Sequence, residues 1–239
     1  MLAIARGELI QIFRNRLVLL TSIILPIGFS AYLIYQHGVF EKVGGIGFIA
    51  TMMLFVVTGI GFYTSVVTTL ASRRQNLFLK RLRSTAVSDR GIIAGLVLPL
   101  AAIAVVQVAV ILTVLGTVVG KPANVPMLIV AVLLTVLMML GLGLATAGVT
   151  NSPEHAQVTT LPLTMITISV AVWVGITGTE ELQVLKRLLP GGAASELVVG
   201  AWEGTASWSH VLPALGPLFA WIFVSISLAS RMFRWEPRR

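Results

Sequence analysis

Six long stretches of this sequence contain no Asp, Glu, Lys or Arg, and this feature restricts the possible fold more than any other. An α-helix needs roughly 20 apolar residues to cross the hydrocarbon core of a bilayer, because it rises by about 1.5 Å per residue. Spanning β-strands would instead give segments of about ten residues with alternating polarity. We therefore predict an all-α, polytopic membrane protein with six transmembrane helices, at about residues 17–36, 46–71, 91–119, 126–149, 158–178 and 211–230.

The composition agrees with a membrane protein and argues against a soluble one. Only 11% of the residues are charged and 56% are hydrophobic, whereas about 25% of the residues in a soluble domain are usually charged. The net charge of +8 would suggest nucleic-acid binding in a soluble protein. Here we attribute it to orientation in the membrane, and we expect no nucleic-acid partner. The absence of cysteine excludes disulfides and thiolate metal sites.

The basic residues predict which loops lie inside the cell. Thirteen of the 17 Lys and Arg residues lie before the first span, in residues 73–90, or after the last span. Only four lie in the loops of the opposite side. Because positive charge is enriched on the cytoplasmic side of membrane proteins, we expect both termini and residues 73–90 to be cytoplasmic.

The segment RRQNLFLKRLRSTAVSDR, residues 73–90, carries six of the basic residues and connects the second and third spans. Phe78, Leu79 and Leu82 share one arc of a helical wheel, and Lys80 and Arg83 lie roughly opposite. This pattern predicts a short amphipathic helix. From the residues alone, such a helix either orients the chain while resting on lipid headgroups or inserts into a partner protein.

The first sixteen residues also have a helical pattern. Apolar residues recur at helical spacing from Leu2 to Phe13, whereas Glu8 and Gln11 occupy another face. This arrangement is typical of an amphipathic helix that lies in the membrane interface and contacts lipid. We therefore treat residues 1–16 as an interfacial helix in front of a single six-span domain, residues 17–230, which is followed by a tail at 231–239.

Residues 179–210, between the fifth and sixth spans, form the longest predicted external segment. A Leu-rich stretch ends at Pro190 and is followed by a second helical pattern, so we predict a broken pair of short helices that enters the outer leaflet and returns. Trp202 and Trp208 in this segment are predicted to anchor in the aromatic belt of the interface.

Several kinds of chemistry are missing from the sequence. The stretch from Gly116 to Lys121 does not have the spacing of a phosphate-binding P-loop, and no serine-hydrolase or zinc-protease motif occurs. We therefore expect no catalytic residue, no metal site and no cofactor on this chain. No ionisable group lies inside a predicted span, which disfavours an ion-coupled transporter and places the energy source on another polypeptide. Gln107, the most polar deep side chain, is expected to bond a neighbouring helix.

The order of these segments resembles the membrane subunit of type-2 ATP-binding-cassette exporters, the class that contains the daunorubicin-resistance-like permeases. The most specific similarity is Leu79-Lys80-Arg81-Leu82-Arg83, followed by Ser84-Thr85, before the third span. The acidic-Gly-Thr turn that precedes this motif in the family is replaced by residues 75–78, and its proline is replaced by Ala86. A second, weaker similarity is the Leu-rich stretch Leu182–Pro190.

The resemblance implies that the helix between spans two and three docks on a cytoplasmic ATPase. Two ATPase copies, which carry the ATP and Mg, and a second permease copy or a related chain would complete the complex in a prokaryotic cell membrane. The resemblance also implies that spans one, two and five line the cargo pathway. The candidate coupling residues are Leu77, Phe78, Leu79, Lys80, Arg81, Leu82 and Arg83, with Glu8 and Gln11 of the N-terminal helix, and the candidate pathway residues are Ser30, Tyr32, Phe55, Thr58, Thr164 and Thr167.

The apolar and hydroxyl character of these pathway candidates favours an amphipathic or lipid-like cargo, such as a drug, an antibiotic or a lipid. Two other functions stay open at this stage. A non-transporting membrane subunit, for example a sensor or immunity protein that scaffolds an ATPase, would have the same sequence features. A membrane-embedded enzyme would need clustered polar groups at membrane depth, which we do not find.

Overall fold

The computed structural model describes residues 1–205, 208–233 and 235, and at residues 17 and 208–210 it describes the backbone alone. Within this part of the chain every regular element is a helix, and the all-α, polytopic prediction is confirmed. Of the predicted tail, Arg234 and residues 236–239 lie outside the described residues.

Helix α1, Leu2–Arg14, is followed at Asn15 by a bend and then by α2, residues 16–35. Helix α2 opens into a wide π-helical turn over Leu20–Ile24. The cause is Pro26, which has no backbone N–H to donate to the preceding turn. Gln107 compensates in part, because its Nε2 donates to the Ile23 carbonyl at 3.2 Å. The predicted bond from Gln107 to a neighbouring helix is thus confirmed.

Helix α3, His37–Gln75, is the longest element and the centre of the bundle. It begins well before the predicted start of the second span, and it is interrupted at Gly44 and Gly45, whose backbone angles are not helical. A second π-helical segment covers Val56–Tyr63 and faces the π-helical turn of α2. A Cβ atom on Gly61 would lie 3.1 Å from the Ser22 carbonyl oxygen, so glycine permits the close approach of the two helices.

The remaining helices surround α3. The last helix packs mainly on the helix Val125–Val149, whereas α3 contacts α2 and the helices Asp89–Val118, Val125–Val149, Pro153–Thr177 and Gly192–Glu203. Among the described residues, five helices are long and apolar enough to cross a membrane, and the apolar part of α2, Leu20–Tyr35, is shorter, so the count of six crossings stays a prediction. The remaining elements are α4, Phe78–Arg83; α5, Asp89–Val118; α6, Val125–Val149; α7, Pro153–Thr177; α8, Gln183–Leu188; α9, Gly192–Glu203; and α10, Trp208–Met232.

The loops between the helices lie at two opposite ends of the bundle, which we call the basic end and the far end. The basic end carries α1, α4 and the starts of α5 and α7. The far end carries the hairpin formed by α8 and α9, whose two short helices agree with the predicted broken pair.

One expectation at the far end is wrong. Trp202 is only 4% exposed, and its Nε1 donates to the Gly120 carbonyl at 3.1 Å. The connection between α5 and α6 also bonds the end of α9, through Ala123 and Asn124. Trp202 therefore packs inside the protein, because this connection folds over it, and it does not serve as an interfacial anchor.

Candidate functional site

Arg73, in the last turn of α3, joins three elements at the basic end. Its Nη2 donates to Glu8 Oε2 at 2.7 Å and also to the side-chain oxygen of Gln11, both in α1. Its guanidinium lies 5.3 Å from the centre of the Phe78 ring, at the start of α4. Since a buried charge is costly unless it is paired, this arrangement fixes α1 and α4 to the end of α3.

This cluster changes the expected position of Glu8. The sequence placed Glu8 and Gln11 on a face of α1 that would meet a partner protein. The Glu8 side chain is instead 5% exposed and turned towards α3, because Arg73 is the only way to pair its charge at this depth within the described part of the chain. Gln11 lies beside it at the surface.

The neighbouring Arg74 connects α3 to a different part of the basic end. It is 2% exposed, and its Nη2 donates to the Thr150 carbonyl at the end of α6. The sequence did not indicate this role for Arg74. The local sequence does not show that Arg73 and Arg74 contact different helices, because this difference depends on tertiary contacts alone.

Helix α4 turns its apolar arc towards its own chain. Leu79 is fully buried, and Phe78 and Leu82 are partly buried against the core. These three residues were expected to supply the apolar surface that meets a partner. Their burial shows that they seat α4 on the bundle, because α4 has only six residues and needs this contact to remain folded.

The outward surface of α4 consists of other residues. Leu77 precedes the helix in a left-handed conformation, with φ of 56°, and its side chain is 47% exposed. Lys80 and Arg81 are exposed beside it. We call Leu77, Lys80 and Arg81 the outer face of α4. It combines one apolar side chain with two positive charges at the basic end.

Arg83 closes the other end of α4. Its Nε donates to Asp89 Oδ1, at the start of α5, at 3.0 Å, and its guanidinium lies 4.9 Å from the centre of the Trp235 ring. Arg83 is thus occupied by contacts with its own chain, and it adds little to the outer face of α4.

A cleft of about 680 Å³ opens beside this cluster. It extends from Glu8 and Arg73 at the basic end to Ile60 of α3 and Met165 of α7. Its walls come from α1, α2, α3 and α7. Hydroxyl side chains are frequent in the lining, and they are Thr21, Thr64, Ser65, Thr68, Thr69, Ser72, Thr160 and Thr164.

Most of these hydroxyl residues were not among the sequence candidates. A signal was present in α3, where Thr64, Thr68 and Ser72 recur every four residues and therefore share one face. The same spacing relates Thr160 to Thr164 in α7. Of the hydroxyl residues in the lining, only Thr164 was among the sequence candidates.

The six predicted pathway residues are only partly brought together. Thr164 lines the cleft. Phe55, Thr58 and Thr167 are fully buried outside the cleft lining, and Gly191 of the far-end hairpin lies against Phe55 and Thr167. Ser30 is buried in α2 outside the cleft lining, and Tyr32 is 52% exposed beside Phe40.

The family model described as ABC-2 type transporter matches residues 1–173 of the 239 in this chain. The chain belongs to the ABC-2 type transporter family. It is the permease subunit of an ABC transporter, a transport component that is not itself catalytic. A comparison with curated proteins finds no match.

The matched range has a structural meaning for this permease. It covers α1 to α6 and most of α7, and therefore the Arg73 cluster, α4 and the whole lining of the cleft. The far-end hairpin and α10 lie outside it. The family as a whole works with an ABC ATPase, and the match does not select the daunorubicin-resistance-like group within it.

Proposed function

We propose that this permease exports an amphipathic or lipid-like compound, such as a drug, an antibiotic or a lipid, from the cytoplasm. The observation that carries the proposal is the cleft of about 680 Å³. It opens at the basic end and is lined by α2, α3 and α7, which correspond to the predicted first, second and fifth spans. A volume of this size suits a drug-sized molecule.

The chemistry of the lining supports this cargo class. Hydroxyl groups offer neutral hydrogen bonds, and Ile60, Leu161 and Met165 offer apolar contacts. The charges of Glu8 and Arg73 neutralise each other at 2.7 Å. A molecule with a polar part and an apolar part therefore fits this surface better than a small ion does.

Energy would enter through α4. We propose that the outer face of α4 docks on a cytoplasmic ATPase, with one ATPase for each of two permeases, and that ATP and Mg bind there. Movement of α4 would reach α3 and α1 directly, because Arg73 contacts Phe78 and pairs with Glu8. Leu79 and the partly buried Phe78 and Leu82 would transmit the force, because they pack α4 against the bundle.

The cleft and the exposed face of α1 suggest the other contacts of the complex. We propose that a second copy or a related permease completes the cargo path beside the cleft. Helix α1 exposes Leu2 by 83% and Phe13 by 61%, which suits contact with lipid at the membrane interface. The basic end would then face the cytoplasm of a prokaryotic cell, with both termini inside.

Docking is tested by replacing the outer face of α4 while its seat stays intact. Leu77→Asp suits this purpose, because aspartate tolerates the left-handed backbone at this position. In the reconstituted complex of permease and ATPase, we expect Leu77→Asp combined with Arg81→Glu to abolish ATP-driven efflux from vesicles. The matched control is Arg90→Glu, an exposed charge reversal in the first turn of α5, which should transport normally.

A protein that inserts, elutes as a folded species and still transports after these changes would contradict the coupling role of α4. The same assay separates an exporter from a membrane scaffold, since a scaffold would bind the ATPase without ATP-driven efflux. The cleft favours the exporter, because a scaffold has no need of a large hydroxyl-lined cavity.

A further inference from the structure

Helix α3 contains a break at the far end of the bundle. Gly44 has φ −156° and ψ 16°, and Gly45 has φ 77° and ψ 179°, so the helical hydrogen-bond ladder stops and begins again. The first backbone N–H groups after such a break have no partner within the helix. They need an acceptor from elsewhere.

Glu203, at the end of α9, supplies this acceptor. Its carboxylate accepts a hydrogen bond from the Gly47 backbone N–H. A Cβ atom on Gly45 would lie 2.5 Å from Glu203 Oε1. A carboxylate at a helix N-terminus satisfies free N–H groups and opposes the positive end of the helix dipole. Partial burial in this position raises the pKa of Glu203.

Lys186, in α8, makes the complementary contact with α7. Its Nζ donates to the Gly178 carbonyl at 2.7 Å and to Thr177 Oγ1 at 2.8 Å, and it lies 5.1 Å from the centre of the Trp173 ring. Lys186 is 1% exposed. A buried ammonium at the end of a helix satisfies free carbonyl groups and opposes the negative end of the dipole.

The two capped helix ends touch each other. A Cβ atom on Gly44 would lie 2.7 Å from the Gly175 carbonyl oxygen, and a Cβ atom on Gly175 would lie 2.5 Å from Phe48 Cδ2. The two capping helices are themselves joined, because Arg187 donates to both carboxylate oxygens of Glu196 at 2.6 and 2.7 Å. The hairpin thus contacts α3 through the Glu203 carboxylate and α7 through the Lys186 ammonium group.

We propose that Glu203 and Lys186 are positioning residues of a latch, through which the hairpin of α8 and α9 holds the far ends of α3 and α7 closed. The proposal rests on the proposed function to the extent that α3 and α7 line the cargo path. The cleft ends at Ile60 and Met165, and α3 is buried from Gly47 to Phe55 except at Met52, which is partly exposed. Opening the far end therefore requires the hairpin to release at least one helix end.

The cysteine-free sequence permits a direct test of closure. Thr51 is 0% exposed, and its hydroxyl donates to the Gly47 carbonyl at 2.8 Å, in the first turn after the break. Thr51→Cys is nearly isosteric. Its reaction with a membrane-impermeant maleimide, added from the far side to membranes that contain the permease and its ATPase, reports opening of the far end without any need for transport.

We expect Glu203→Gln and Lys186→Met each to accelerate labelling of this cysteine by about fivefold or more, which corresponds to the loss of one helix cap. Glu203→Asp should restore slow labelling in part. The matched controls are Glu181→Gln and Lys121→Met, which remove the same charges from exposed positions at the far end and should not change the rate. Labelling of both latch variants at the unmodified rate would overturn the proposal.

A second test does not depend on the stability of these variants. A Cβ atom on Gly47 would lie 3.0 Å from Val199 Cα, so the pair Gly47→Cys and Val199→Cys places two thiols within disulfide range. Oxidation should hold the hairpin on α3, stop ATP-driven efflux and keep position 51 unreactive, and a reductant should restore transport. Full transport by the oxidised pair would overturn the latch. If no variant transports any compound, the proposed function fails, and the labelling rates still decide the latch.

Discussion

Arg73 Nη2 lies 2.7 Å from Glu8 Oε2, and this ion pair connects the end of the central helix α3 to the N-terminal helix α1. The side chains are 13% and 5% exposed. The pair lies at the mouth of the cleft and directly beside Phe78 of α4. This pair therefore joins α1 to the end of α3, beside α4 and in the wall of the cleft.

Breaking this pair should destabilise the basic end strongly. Glu8→Gln leaves the Arg73 guanidinium largely buried without a counter-charge, which typically costs about 3–5 kcal/mol. We expect a clear fall in the thermal unfolding temperature of the purified permease. The exchange of both charges, Glu8→Arg with Arg73→Glu, should recover part of the loss, and Glu41→Gln, an exposed charge at the far end, serves as the control. Equal unfolding temperatures for Glu8→Gln and the control would show that the pair has no structural role.

The contact between Gly175 and Phe48 should not tolerate an added methyl group. A Cβ atom at position 175 would lie 2.5 Å from Phe48 Cδ2, so α3 and α7 must separate or the ring must move. We expect Gly175→Ala to lower stability by about 1–3 kcal/mol, as overpacking usually does. Gly28→Ala has nothing within 4 Å of the new Cβ atom and should be neutral or stabilising, since alanine favours the helix. A thermal melt of both variants checks the difference.

Thr160 and Thr164 are a matched pair for testing the cleft. Both line it, but Thr160 Oγ1 donates to the Ala156 carbonyl at 2.7 Å, whereas the buried Thr164 Oγ1 has no hydrogen-bond partner among the described residues. Thr164→Val should leave stability unchanged or raise it by about 1 kcal/mol, because it removes an unsatisfied polar atom.

The same two variants should separate stability from cargo binding. If the cargo hydrogen-bonds Thr164, Thr164→Val raises the cargo concentration needed for half-maximal efflux while the folded permease is as stable as before. Thr160→Val should instead have a small effect on stability and little on cargo affinity. An identical response of both variants in the efflux assay would exclude Thr164 as a cargo contact.

The ion pair between Arg187 and Glu196 should depend on the shape of the guanidinium as well as on its charge. Arg187 contacts both carboxylate oxygens, and this interaction raises the pKa of Arg187 above its ordinary value. Lysine keeps the charge but loses the paired geometry. We expect Arg187→Lys to destabilise the hairpin by about 1 kcal/mol, visible as faster proteolysis between α8 and α9 in detergent. The exposed Arg90→Lys should be cleaved at the unmodified rate at these sites.

The position of α4 could be predicted from the sequence, but its orientation could not. The pattern of Phe78, Leu79 and Leu82 correctly indicated a short amphipathic helix between two spans. It did not show whether the apolar arc faces a partner or the chain itself. An amphipathic pattern shows which side chains form the apolar face of a helix. It does not show which apolar surface that face packs against, because the tertiary fold decides this. Glu8, which was expected to face a partner protein, is buried against α3 for the same reason.

The sequence by itself determined the helical class, the approximate positions of the apolar helices and the concentration of positive charge at one end, because these depend on local composition and period. Only the tertiary structure decided that Glu203 caps α3, since this contact joins elements far apart in the chain, and that the nearby Lys186 is buried against the end of α7. The physical reason is that lipid and protein interior are similarly apolar, so hydrophobicity identifies a spanning helix without telling which face meets protein. Hydrogen bonds, paired charges and close glycine contacts determine which face of each helix packs against protein.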